Sequence, residues 1–211
     1  MGLDVLRRES AVSTGRDRTA RLWKWSDDKQ FVFRGSTVCT SLECCRMLTE
    51  DTFVTGDDDG RLAIWNNTKK KPVMQVNASS SSGNARRPWI SSLSSVRTTD
   101  LVASGSSEGC VRLWKASDKP RRILEQVGAL PGLAGFTNGL AFASDGRFLV
   151  CAMGQEHRLG RWERIQDGGA RNALAIAPLP TTSASAPSGG GHKGGHAEGE
   201  DEGENHSEDQ A

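Results

Sequence analysis

Seven side chains in this 211-residue sequence have the type and placing to meet a nucleic acid. Four fall in one stretch, Gly154-Gln-Glu-His-Arg-Leu-Gly-Arg-Trp162, which supplies Gln155, His157, Arg158 and Arg161. The others are Arg16 and Arg18, in Gly15-Arg-Asp-Arg-Thr19, and Arg61, which follows Asp59-Gly60. An arginine carries a planar fork of donors that suits phosphate or a base edge, and a histidine ring can stack on an unpaired base. Each has a plainer reading beside that one. His157 is equally well a turn residue bonded to backbone. Arg161 is costly to bury unless paired, so it either bridges to Glu156 or Glu163 or reaches out to phosphate. The sequence holds no G-x-S-x-G, no P-loop and no metal-spaced histidine pair. The reading is therefore a binding chain, not an enzyme, with no metal, no cofactor and no small-molecule substrate.

The elements that must hold these groups announce themselves as repeats. Three segments reach Trp by the same route: Asp17-Arg-Thr-Ala-Arg-Leu-Trp23, Asp59-Gly-Arg-Leu-Ala-Ile-Trp65 and Glu108-Gly-Cys-Val-Arg-Leu-Trp114. A fourth, Glu156-His-Arg-Leu-Gly-Arg-Trp162, keeps the acid six residues ahead. The indoles are 42, 49 and 48 residues apart, near the ~40–45 of a WD40 blade. Before each acid lies a short apolar run, such as Phe53-Val-Thr, Leu101-Val-Ala-Ser or Phe148-Leu-Val-Cys; after each Trp a polar gap leads to another short strand. Asp59-Gly60 and Asp145-Gly146 suit tight hairpins, since glycine tolerates positive φ. No 3.6-residue apolar stripe persists, so helices are excluded.

The expected fold is all-β: a partial WD40 β-propeller of about three and a half four-stranded blades over residues 10–180. Residues 37–180 supply three blades, and residues 10–34 most of another without its inner strand. Residues 1–9 are expected to be a disordered or truncated start. Trp23, Trp65, Trp114 and Trp162 are expected to be core at the blade seams, with Asp17, Asp59, Glu108 and Glu156 as structural hairpin acids. Hairpins of successive blades share a rim, so the arginines there form one basic arc. An unclosed ring leaves open strand edges, which invite aggregation or pairing.

Charge divides the chain. It has 27 Lys or Arg against 26 Asp or Glu, but residues 181–211 hold seven of the acids and one lysine. The body is thus basic, the tail acidic and rich in Gly and Ser. The tail lacks the apolar content to offset its ordering entropy and is expected to be disordered; its His192, His196 and His206 would bind metal weakly at most. Cys39, Cys44, Cys45, Cys110 and Cys151 are odd in number and form no C-x-x-C pair, which fits free thiols in a reducing compartment. No apolar run nears the roughly 20 residues of a membrane helix, so no membrane association is expected.

The Gly154–Trp162 stretch, together with Gly15-Arg-Asp-Arg-Thr19, Val54-Thr-Gly-Asp-Asp-Asp-Gly60 and Asp100-Leu-Val-Ala-Ser-Gly105, resembles the WD-repeat proteins of the U3 small nucleolar ribonucleoprotein. The resemblance runs over about residues 10–180 and matches the C-terminal part of that family. It implies a non-enzymatic RNA-binding scaffold in the nucleus and nucleolus. Its partners would be the box B/C element of U3 small nucleolar RNA and proteins of the small-subunit processome, and its role pre-rRNA processing in ribosome biogenesis. The chain departs from the family in lacking its N-terminal half, and Gly35-Ser36 stands where a Gly-His dipeptide is expected. A generic WD40 protein–protein adaptor is the alternative.

Overall fold

The computed structural model describes residues 2–180 apart from 7–8, 79–87, 98, 118–119, 131 and 167, with the side chains of 161–163 also undescribed. Every regular element among the described residues is a β-strand. Three four-stranded antiparallel blades come first: β1 (Gly2–Leu6), β2 (Ser10–Thr14), β3 (Thr19–Lys24) and β4 (Lys29–Arg34); β5 (Leu42–Met47), β6 (Thr52–Asp57), β7 (Arg61–Asn66) and β8 (Met74–Asn77); β9 (Ile90–Ser95), β10 (Leu101–Ser106), β11 (Val111–Ser117) and β12 (Ile123–Ala129). The last unit holds β13 (Phe136–Phe142), β14 (Phe148–Gly154), β15 (Glu156–His157), β16 (Gly160–Arg164) and β17 (Ala173–Pro178). The inner strands β1, β5, β9 and β13 pack side by side in chain order. This is WD40 propeller architecture.

The first blade corrects one expectation. Gly2–Leu6 forms β1 and pairs along its whole length with β2, from Gly2 opposite Thr14 to Leu6 opposite Ser10. The start of the chain supplies the inner strand that the repeat pattern left missing. Its alternation is legible in hindsight, because Asp4 turns inward to accept from the Met47 amide at 2.8 Å and to pair with Arg46 at 3.0 Å.

Burial explains why the repeats keep Trp. Trp65 and Trp114 are 0% and 4% exposed, and each indole Nε1–H donates to a hydroxyl ten residues back, Thr55 at 2.9 Å and Ser104 at 2.8 Å. A buried indole must satisfy its donor, and the cross-strand hydroxyl does so. At the first seam Trp65 lies stacked against Phe53, and Phe33 meets both rings edge-on. Trp23 makes the equivalent bond to Ser13 at 3.0 Å yet is 38% exposed. It faces away from the second blade, so the expectation that it is core fails at this position.

The last unit departs further. Its sheet is β13-β14-β17, and β15 and β16 form a separate two-stranded ribbon. The strand bearing Trp162 therefore pairs with β15 and not with β14, and β17 takes the place beside β14. Register gives the reason. Twelve residues before the first three indoles stand Ala11, Phe53 and Val102, whose pairs include Ala11 opposite Trp23 and Phe53 opposite Trp65. Twelve before Trp162 is Val150, whose neighbours Leu149 and Cys151 are the ones packed into the third seam with Ala103 and Val111. A slip of one residue turns every side chain of a strand to the opposite face. The expectation of a fourth regular blade fails here, and that for the indole of Trp162 lies outside the described side chains.

Candidate nucleic-acid interface

The connections that follow the second strands, β2, β6, β10 and β14, lie beside the starts of the inner strands. The Leu42 amide donates to the Gly15 carbonyl, the Asp58 amide to Ser41, the Ser107 amide to Trp89 and the Arg158 amide to Asn138, which puts them on one rim. The arginines singled out above lie on or beside these connections, Arg61 as the first residue of β7. The hairpins differ in whether those arginines are available.

In the first hairpin Asp17 holds the turn. Its Oδ1 accepts from the Thr19 amide at 3.1 Å and the Thr19 hydroxyl at 2.8 Å, and its Oδ2 from Arg21 at 3.2 Å. The hydrogen bonds from Thr19, with help from Arg21, hold its pKa below the usual carboxylate value. With the acid occupied inside the turn, Arg16 and Arg18 project outward. Both are exposed, and neither makes an ion pair or side-chain hydrogen bond among the described residues. Arg18 sits at φ 60°, a left-handed conformation seldom adopted by long side chains.

In the second hairpin the arginine is spent. Arg61 pairs with Asp59 at 2.9 Å and donates to the Ser36 hydroxyl at 3.2 Å. The acid that closes this turn is Asp57, two residues before the expected Asp59: its Oδ1 accepts from the amides of Asp59 at 3.0 Å and Arg61 at 2.8 Å. Burial pushes Asp57 up to about 6, with Asp58 and Asp59 adding to the rise against those two hydrogen bonds. Asp58 ties the hairpin to the preceding connection through the amides of Thr40 and Ser41 and the Thr40 hydroxyl. The third hairpin repeats the pattern, Ser106 accepting from the Glu108 amide at 3.3 Å. The local signal for Asp57 was present in the run Asp57-Asp58-Asp59, where only a side chain at the strand end can turn inward.

The connection after β14 is an 18-residue excursion, 155–172, that folds back on the body. Gln155 donates to the Ala170 carbonyl at 2.7 Å and accepts from Arg164 at 3.3 Å, and its amide donates to Asn172 at 3.1 Å. His157 is 3% exposed, edge-on to Trp89 and Phe136 at centroid distances of 5.2 and 5.8 Å, and its Nδ1 accepts from the Leu159 amide at 3.3 Å. The expectation that a loop presents His157 to a base is thus overturned. The ring fills a gap between an aromatic pair, which is the plainer of its two readings.

Arg158 is engaged as well. Its amide donates to the side-chain oxygen of Asn138 at 3.0 Å, while the Asn138 amide donates to the Glu156 carbonyl at 2.8 Å. Its guanidinium reaches across to the carbonyl of Glu43 on β5, at 3.2 Å. There it borders a cleft of roughly 200 Å³ along the inner strands, shared with Arg46, Ser91 and Asn138. Arg46 is itself tied to Leu93 and Asp4. Asn138 and Arg46 went unnoticed in the sequence, although a charge inside the apolar run Leu42–Met47 is a signal of inward pairing. Glu156 lies in the ribbon opposite Arg164. Arg161 falls outside the described side chains.

All five cysteines are free thiols. Burial pushes Cys39 and Cys45 up to about 11 and raises Cys44 and Cys151 as well, so they stay protonated and behave as small apolar groups. Among the described residues no three His, Cys, Asp or Glu side chains gather as a metal site, and no helix is long and apolar enough to cross a membrane.

Comparison with known proteins agrees with this architecture. The family model for the WD domain, G-beta repeat, matches residues 77–115. A U3 snoRNP-associated protein-like protein of Arabidopsis thaliana is 41% identical over 189 residues, covering 85% of this chain and 38% of the relative. The U3 small nucleolar RNA-interacting protein 2 of Homo sapiens is 44% identical over 156 residues, covering 72% of this chain and 32% of the relative. Among solved structures, the WD40 repeats of RRP9 superpose with a TM-score of 0.75 at 42% identity, over 84% of this chain and 54% of that one. The chain thus spans about a third to two fifths of the length of these curated relatives.

Proposed function

We infer that this chain, a WD40-repeat relative of the U3 snoRNP-associated proteins, is a non-enzymatic RNA-binding scaffold of a U3-type ribonucleoprotein acting in pre-rRNA processing. The partner is U3 small nucleolar RNA, read at a box B/C hairpin, alongside proteins of the small-subunit processome. The working location is the nucleus and nucleolus. What supports the U3 assignment is kinship extending over most of the chain.

The observation that carries the RNA part is the first hairpin. Arg16 and Arg18 are exposed there on a turn already held by Asp17, so two cations are offered and not consumed. Phosphate contacts of this kind set affinity and register, and base contacts add specificity. Arg61, Gln155, His157 and Arg158 take a different part: they fix the rim on which RNA would lie. The test is fluorescence anisotropy of the 211-residue chain with a labelled U3 box B/C hairpin and a shuffled hairpin of equal length. Binding at least about tenfold tighter to the U3 hairpin, on the order of 1.4 kcal/mol, is expected. Equal affinity for the two would refute a U3-specific reader.

A further inference from the structure

The described lysines fall into two sets. Lys24, Lys29 and Lys115 each pair with a carboxylate, Asp51 at 3.2 Å, Asp27 at 3.4 Å and Asp100 at 3.7 Å. Lys69, Lys70 and Lys71 are consecutive and exposed, and among the described residues their side chains make no ion pair or hydrogen bond. The loop that carries them is held without their help. The Asn66 side chain accepts from the Thr68 amide at 3.0 Å and the Thr68 hydroxyl at 2.7 Å. The Asn67 amide donates to the Asp51 carbonyl at 2.9 Å, and the Val73 amide to the Ile64 carbonyl at 2.7 Å. Three cations are thus presented on a fixed turn, and the fold uses none of them.

Their place is the rim opposite Arg16 and Arg18. β7 starts at Arg61, beside the first rim, and the lysine run follows its far end, roughly 17 Å away by the rise of a six-residue strand. The next blade adds Arg121, exposed and with no partner among the described residues, two positions before β12. The two positions are neighbours, because they lead into β8 and β12, which touch, and Val73, Met74 and Leu124 pack into the same seam. Asp51 and Asp100, in the hairpins of this side, are already taken by Lys24 and Lys115, so neither is left to neutralise the run. The second and third blades have a packed neighbour on each side, so this surface is not an end face of the series.

The chemistry favours phosphate. An ammonium is a compact point charge that suits a phosphate oxygen. A protein partner would ask for an apolar or aromatic centre, from which lysine is depleted. None of the exposed large apolar side chains lies beside the lysine run or Arg121. A nucleic-acid backbone needs only cations set along it. We propose that Lys69, Lys70, Lys71 and Arg121 form a second phosphate-binding surface, which holds a second RNA segment by its backbone and without sequence preference. The choice of RNA rests on the reading above, since a scaffold acting in pre-rRNA processing has two RNAs to bring together. Cations on opposite rims would hold both at once without letting them compete.

Fluorescence anisotropy with labelled oligouridine, added to the 211-residue chain already saturated with unlabelled U3 box B/C hairpin, tests this. Wild type should bind the oligouridine. The variant carrying Lys69→Gln, Lys70→Gln and Lys71→Gln should bind it about tenfold more weakly at low salt. Its dependence of log affinity on log salt should be shallower by about two, at ~0.7 for each contact to a single strand. Lys69→Arg, Lys70→Arg and Lys71→Arg together should bind like wild type. Arg16→Ala with Arg18→Ala, with no hairpin added, should bind oligouridine in the same lysine-dependent way, so the result stands apart from recognition of the U3 hairpin. Preference for that hairpin over its shuffled form should survive the glutamine variant; its loss in wild type would refute the U3 reading alone. Equal oligouridine affinity in wild type and the glutamine variant overturns the second surface, as does displacement of oligouridine by the hairpin. A glutamate polymer that binds as tightly as oligouridine would give the surface to acidic protein segments and overturn RNA as its partner. Should the glutamine variant fail to fold, Lys70→Gln with Arg121→Gln replaces it in the same comparison.

Discussion

The first hairpin and the excursion after β14 lie on the same rim and carry the same kinds of side chain, yet they spend them differently. In the first, one acid absorbs the needs of the turn through Thr19 and leaves Arg16 and Arg18 facing solvent. In the second, eighteen residues without a blade of their own must be held down, and Gln155, His157 and Arg158 do the holding. The lesson is that the most distinctive segment of a sequence can be distinctive for architectural reasons. A short hairpin is fixed by local bonds, so its remaining groups are available to a partner. A long excursion has more backbone to satisfy than its own strands can serve, and polar side chains are recruited to satisfy it.

Substitutions can break this contrast, and the largest effect should come from the excursion. His157→Ala empties a buried site between Trp89 and Phe136, which on the usual scale of large-to-small changes costs about 3 kcal/mol. Thermal melting should fall by roughly 10 °C for a body of this size. A melt within a degree or two of wild type would show that the ring is dispensable to packing.

The second hairpin gives a pH test. Asp57 has a folded pKa of about 6 against 3.8 for the ordinary group, so it binds its proton more tightly when folded. Its contribution is therefore complete below pH 4 and is lost as pH rises through 6, on the order of 3 kcal/mol in all. Asp57→Asn keeps the acceptor for the amides of Asp59 and Arg61 but cannot ionise. Chemical denaturation from pH 4 to 7 should show wild type losing stability relative to Asp57→Asn as pH rises, and parallel curves would contradict the assignment.

Arg158→Ala should act more mildly. It removes a charged donor from the Glu43 carbonyl, about 1.5 kcal/mol, and should leave RNA affinity unchanged once the chain is folded. An unchanged melt with reduced affinity would return Arg158 to the RNA.

Much of this was legible in the sequence because repeats report packing. The Trp spacing located β3, β7 and β11, and Asp59-Gly60 and Asp145-Gly146 marked turns whose glycines do take φ of 77° and 71°. Two things were hidden. β1 was hidden since five residues with an inward Asp4 make a weak strand signal, and the groups that make that acid welcome, the Arg46 side chain and the Met47 amide, lie more than 40 residues away. The fourth repeat kept the acid-to-Trp spacing while its preceding strand had slipped by one residue, and spacing within a segment carries no information about register between segments. The site was harder still. Residue type nominated Arg16, Arg61 and Arg158 alike, whereas availability depends on Asp17, Asp59 and Glu43, neighbours that sequence proximity only partly discloses.

The smallest effect on stability belongs to Arg16→Ala with Arg18→Ala, which should change melting by no more than about 0.5 kcal/mol, as exposed substitutions do. The same pair carries the most direct test of the whole account. Affinity for the U3 box B/C hairpin is measured across a range of salt, for wild type and for the double variant. Removing one arginine–phosphate pair should flatten the dependence of log affinity on log salt by nearly one, so the double variant should bind more weakly at low salt with a slope shallower by about two. A slope and an affinity equal to wild type would contradict it, since the two free cations of the rim would then have no part in holding RNA.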